Sequence, residues 1–314
     1  MLRFPLVLAL LFGAGCEMNH GDHPLHHPDL SLEAIARSDD HDNRVFTAYN
    51  PKGPVQWNQG WPWKFDLSGV SWDKTKTATA VTPRHVIMAA HFMRGVGEEL
   101  VFHDRKGKIH RRTLIKRVTF KELGKRADIG VGLLDRPLPK TIRTYPLLEP
   151  KQDYRQLING ALALVTDQER RLYFHQINQG GETTLMMNYH KEIEPTKEKR
   201  LAVGDSGNPT FLLTKGELAL IGTHTTGGPG AGPFYGSLEY QNTLNTIIRD
   251  LDPDHSIRTV PIDRKVINES TESGMYKPKP RDPNAKPSPP ATTHPASVKP
   301  TRPPRPRTVR PPSE

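Results

Sequence analysis

Between Leu67 and Thr225 one pattern repeats: a short run of apolar and β-branched residues, then a short polar turn. LSGVSW, TATAVTPRHVIMAAH, LVFHDRKGKIHRRTLIKRVTF and DIGVGLL carry it first. ALALVT, RLYFHQI, TTLMMNY, PTFLLT and ELALIGTHT carry it again further on. Asp104-Arg105-Lys106-Gly107 reads as a hairpin turn inside the third run. Short strands at regular spacing, with no helical period between them, predict an all-β sandwich or a pair of barrels. The period changes only at LEYQNTLNTIIRDL, where Leu244, Ile247, Ile248 and Leu251 share one helical face and predict a closing helix. The folded unit is expected over residues 44–261, with no short internal repeat.

Composition changes the picture at both ends. The chain has 314 residues, 30 prolines and a hydrophobic fraction of 35%, low for one uniform domain. A normal domain diluted by disordered ends accounts for these figures. At the start, MLRFPLVLALLFGAGC has a positive Arg3 and an apolar run from Phe4 to Ala14, too short to span a bilayer. Residues 1–15 therefore read as an export signal. Cys16, the only cysteine in the chain, excludes an internal disulfide framework. The ending Ala14-Gly15-Cys16 resembles the lipobox of bacterial lipoproteins, which implies a lipid anchor on Cys16. Gly13 departs from that pattern, and an ordinary secretory signal giving a soluble secreted or periplasmic protein is the alternative. Residues 16–43, with His20, His23, His26 and His27, read as a polar linker, because no second cluster completes a metal-ligand set.

Residues 262–275 read as a second linker. From Tyr276 to Glu314 proline alternates with lysine and arginine, which blocks helix and sheet and favours extended polyproline II. That tail holds nine Lys/Arg against two Asp/Glu, a local excess of positive charge in a chain of net charge +10. The domain at 44–261 is basic as well, with 31 Lys/Arg against 22 Asp/Glu. The tail is a solvated spacer or a tether for an anionic envelope polymer, nucleic acid or glycan.

The stretch AVGDSGNPTF raises a chemical question, since Gly-Asp-Ser-Gly is either a small polar turn or a nucleophilic serine with backbone donors around it. A serine hydroxyl needs a neighbouring base, and histidine titrates near neutrality. His91 stands just past an apolar strand in HVIMAAH, and Asp128 stands at the mouth of another in ADIGVGLL. A packed histidine and a surface-terminating aspartate are the ordinary readings of each alone. Together with Ser206 they form the order His91, Asp128, Ser206.

That order and the local contexts resemble the chymotrypsin-like (trypsin-fold) serine peptidases. TPRHVIMAAH is similar to their TAAH segment, ADIGVGLLDRPL to DIALL, and GDSGNP to GDSGGP. The likeness spans the middle of the chain. It implies two six-stranded antiparallel Greek-key barrels with a C-terminal helix. It also implies Ser206 as nucleophile, His91 as general base and acid, and Asp128 as the orienting carboxylate. Gly204 and Ser206 would supply oxyanion N–H groups. Thr225 falls where the family has a serine supporting the aspartate, at the edge of the substrate pocket, and Asp205 would pair with a buried cation. Asn208 replaces the second glycine of GDSGGP, Met88 the threonine of TAAH, and Phe92 a disulfide cysteine. No IVGG-type activation sequence is seen.

Arg200, six residues before Ser206, stands where trypsin-like enzymes carry aspartate, which argues against cleavage after Lys or Arg. His224 falls where staphylococcal-type glutamyl endopeptidases carry a histidine that binds a substrate carboxylate, although Leu201 departs from their usual hydroxyl. A core histidine on a barrel strand is the alternative for His224. The expectation is an exported, monomeric serine endopeptidase acting on protein or peptide without cofactor or metal, with an acidic residue preferred before the cut. A catalytically silent scaffold binding peptide or envelope polymer is the rival.

Overall fold

The computed structural model describes residues 31–73, 76–150, 154–190 and 193–262. The expectations for the export signal, Cys16, the histidine cluster at 20–27 and the tail at 276–314 lie outside them. The chain is mostly sheet, arranged as two six-stranded antiparallel barrel-like sheets, one nearly closed and one a half-barrel. After α1 (Leu32–Ala36) and the small ribbon β1 (Phe46–Ala48) with β2 (Gln56–Trp57), the first large sheet begins. It contains β3 (Val70–Ser71), β4 (Ala78–Ala80), β5 (His85–Met88), β6 (Glu99–His103), β7 (Ile109–Thr119) and β8 (Gly130–Leu134), in the order β3-β4-β5-β8-β7-β6. After β9 (Leu147–Leu148) and α2 (Tyr154–Ile158) come β10 (Leu162–Thr166), β11 (Leu172–Gly180), β12 (Thr184–Asn188), β13 (Pro209–Thr214), β14 (Glu217–Thr223) and β15 (Ala231–Pro233). Their order is β14-β13-β10-β11-β12-β15. The helix α3 (Leu238–Leu251) follows as expected, and β16 (Thr259–Val260) pairs in parallel with β9.

Period-two alternation explains how one strand serves two cores. In β5, Val86 and Met88 enter the core of the first sheet, while Ile87 points into the large shared core. In β10, Ala163 and Val165 fill the second sheet, while Leu162 and Leu164 join Ile87 in the shared core. Edge groups are drawn together as well. The Val101 N–H donates to Ser71 Oγ at 3.2 Å between β6 and β3, and a bridge joins Gly222 of β14 to Phe234 just after β15. The hairpin at Asp104 is the one read in the sequence. Gly107 takes φ +77°, and Asp104 Oδ1 accepts the N–H groups of Lys106 and Lys108.

The linker expected over 16–43 is corrected over its described part, since residues from Ser31 onward belong to the fold. Ser31 caps α1 by accepting the Ala34 N–H, and Leu32, Ile35 and Ala36 are buried in the shared core. The Lys197 ammonium, itself buried, donates to Ile35 O (2.9 Å), to Ser38 O and to Ser38 Oγ (3.0 Å), closing the C-terminal end of that helix. Among the described residues no helix is long and apolar enough to cross a membrane.

Candidate active site

His91 sits in a short 3-10 turn, Ala90–Phe92, directly after β5, and Asp128 immediately precedes Ile129 and β8. These two strands are neighbours in the sheet, with Met88 opposite Gly130, so the two side chains are delivered to one end of it. The Asp128 carboxylate grips His91 twice. Oδ1 accepts the His91 N–H at 2.8 Å, and Oδ2 lies 2.5 Å from Nδ1. The other imidazole nitrogen, Nε2, lies 3.0 Å from Ser206 Oγ. A carboxylate at Nδ1 fixes the tautomer in which Nε2 is free to accept the serine proton. Phe92 stacks on the His91 ring, with centroids 6.2 Å apart and planes at 28°.

Ser206 comes from the second sheet, on the loop before β13. Gly204 takes φ +102° and Gly207 φ +85°, conformations that disfavour side chains with a Cβ, so both glycines of GDSG are required by the backbone. Asp205 is buried and turns its carboxylate back into the loop. Oδ2 accepts the Ala202 N–H at 2.8 Å and Oδ1 the Gln168 N–H at 3.1 Å. The cation expected beside it is Lys199, 3.8 Å from Oδ2, but Lys199 is partly exposed and makes its short contact, 2.6 Å, with Asp167. Backbone donors thus hold Asp205 more closely than a cation does. Among the described residues the N–H groups of Gly204 and Ser206 donate to nothing, leaving both available to an anionic oxygen.

Two residues matter here that the sequence did not single out for this purpose. Asn208 ties the loop to the first sheet. Its Oδ1 accepts Trp72 Nε1 at 3.2 Å and the Thr77 hydroxyl at 3.1 Å, while its Nδ2 donates to Asp205 O at 3.1 Å. The departure from GDSGGP is therefore a cross-sheet anchor. Gln168, in the turn between β10 and β11, donates from Nε2 to Val203 O at 3.1 Å. Nothing in the local pattern TDQERR marks either contact, since both partners are distant in sequence.

The residues expected around the substrate side chain separate. Arg200 is exposed, and Val203 is fully exposed beside the loop. Leu201 is buried and forms a two-way backbone bridge with Gly228, at 2.8 and 3.1 Å. His224 is buried, with Nε2 3.5 Å from the Thr210 hydroxyl. Burial, with His175 nearby, pushes its pKa down to about 3, so the ring is neutral at ordinary pH. In this respect it behaves as the core histidine of the alternative reading. The Thr225 hydroxyl donates to Ala231 O at 3.1 Å and makes no hydrogen bond to Asp128, so the support expected from it comes instead from the His91 backbone N–H. No protein-family model matches the chain, and no curated protein matches it.

Proposed function

We propose that the protein is a serine endopeptidase that cleaves peptide bonds through Ser206, His91 and Asp128. The observation that carries this reading is the continuous contact Asp128–His91–Ser206, assembled from two sheets at distances of 2.5 and 3.0 Å. In the proposed reaction Ser206 Oγ attacks the carbonyl carbon as His91 Nε2 takes its proton. The oxyanion then accepts the N–H groups of Gly204 and Ser206. His91 next gives its proton to the leaving amine, and the resulting ester is cleaved by water activated at the same nitrogen. Asp128 stabilises the imidazolium formed in each half.

In the same reading the protein is exported and anchored at a membrane through lipid on Cys16, and its basic tail meets an anionic envelope polymer. An acidic residue before the cut rests chiefly on the exposed cation Arg200, with the neutral His224 contributing at most a hydrogen bond. Three peptides differing only at that position, Glu, Leu and Arg, test it. The Glu peptide is expected to be cut fastest, and Arg200→Ala to erase most of its advantage of roughly tenfold or more. Faster cleavage of the Leu or Arg peptide overturns the acidic preference.

A fluorophosphonate probe tests the activity itself. Mass spectrometry is expected to find the adduct on the peptide containing Ser206, and Ser206→Ala to abolish it. Folded protein that resists labelling, beside a known serine peptidase that labels, favours the scaffold reading.

A further inference from the structure

We propose that Gln168 is a positioning residue that sets the direction of the Gly204 N–H group, one of the two oxyanion donors. This rests on the peptidase reading above. A trans peptide unit carries its C=O and N–H on opposite sides, so whatever fixes the carbonyl of Val203 also aims the N–H of Gly204. Gln168 Nε2 donates to that carbonyl at 3.1 Å, and it is the one donor the carbonyl receives among the described residues. The backbone on either side gives little resistance to rotation. Val203 is fully exposed and packs on nothing, and Gly204 is free to take φ values of either sign. A peptide unit with an exposed residue before it and a glycine after it needs an external hold. The Gln168 side chain supplies one, and lies so close to Gly204 that a Cβ there would collide with it.

The hold is itself fixed. Gln168 also donates its backbone N–H to Asp205 Oδ1 at 3.1 Å, so its two bonds clamp the loop on both sides of Gly204. Its turn is held by the buried Asp167. Oδ1 of Asp167 accepts the N–H groups of Glu169 and Arg171 at 2.9 Å, and Oδ2 accepts Lys199 Nζ at 2.6 Å and the Tyr173 hydroxyl at 3.2 Å. The N-terminal segment backs the turn from outside, where the Val45 N–H donates to Arg170 O at 2.9 Å and Asn43 O accepts the Leu172 N–H at 2.9 Å. A residue anchored in this way is preorganised to act on the loop and not simply to follow it.

The test is Gln168→Met in the full chain, which keeps the side-chain length and removes the donor. Turnover of a cleaved peptide is expected to fall about tenfold to a hundredfold with KM nearly unchanged, because the lost alignment matters only when the oxyanion forms. Affinity for a peptide aldehyde, whose adduct with serine carries that oxyanion, is expected to fall by a similar factor. Affinity for the corresponding product peptide and the melting temperature are expected to stay the same. An active protein in which Gln168→Met leaves kcat and aldehyde affinity untouched overturns the inference about Gln168 alone. Equal losses for aldehyde and product, with a lowered melting temperature, also overturn it, since they mark a merely structural role. Unmodified protein that neither cleaves nor labels overturns the peptidase reading, and the inference with it.

Discussion

Asn208 shows how one buried amide can hold two sheets to a common site. It is fully buried, accepts from Trp72 and Thr77 across the sheets, and donates to Asp205 within the loop. Asn208→Ala leaves the buried indole N–H of Trp72 without its acceptor. The expected cost is about 1–3 kcal/mol in stability, read from the shift of the urea midpoint, together with lower kcat as the loop loses its tie to Trp72 and Thr77 of the sheet that carries His91. Asp128 acts over a shorter range. Asp128→Asn keeps the shape but presents an amide to His91 Nδ1, which favours the wrong tautomer. A fall in kcat of about 10⁴ is the expectation for an enzyme of this chemistry. A circular-dichroism melt at the wild-type temperature would separate that loss from unfolding.

Among the elements, α1 is the one whose importance is least visible in the sequence. Five residues do not make a stable helix alone. Its existence depends on Leu32 and Ile35, which are 2% and 4% exposed, and on Lys197 closing its end. Leu32→Ala is expected to cost about 2–4 kcal/mol, measurable as a lowered urea midpoint. The sequence assigned this region to a linker because a polar, histidine-rich stretch precedes it and no periodic run is long enough to declare a helix. The strands were easier. β5, β8, β10, β13 and β14 are buried at every position but Glu217 and mostly apolar, since both faces are covered, and such runs stand out. The two-residue strands β2, β9 and β16 lie in none of the runs read as strands, and pairing alone defines them.

At the scale of the molecule, acid should loosen the fold through buried imidazoles. Burial lowers His85 and His175 to about 4 and His224 to about 3, against 6.5 for an exposed ring. Below about pH 6.5 the unfolded chain binds protons at these rings that the folded chain refuses. Stability is therefore full above that pH and falls as the pH drops from 6.5 towards 4. The loss is of order 1–3 kcal/mol for each ring, and urea midpoints across that range measure it. His85 reinforces the effect at the C-terminal end of α3. It packs edge-on against His255, at 5.9 Å between centroids, beside the Arg84–Asp252 ion pair at 2.7 Å. The chain ends act at the same scale. Removing residues 276–314 is expected to leave kcat and melting temperature unchanged. Cys16→Ala is expected to move the protein out of the membrane fraction while export continues.

By itself the sequence determined the strand-rich class and the closing helix, which are written locally as apolar runs and a helical face. It also pointed to His91, Asp128 and Ser206, through their order and the resemblance of their segments to a known family and not through any one position. Only the tertiary structure decided what depends on distant partners. It turned Asn208 from a departure into an anchor, brought Gln168 onto the Val203 carbonyl, and gave the Thr225 hydroxyl to Ala231. It also sank His224 into a core that keeps it neutral. Hydrogen bonds and burial are properties of the pair and the surroundings. A residue type at one position cannot specify them until the second sheet has closed against the first.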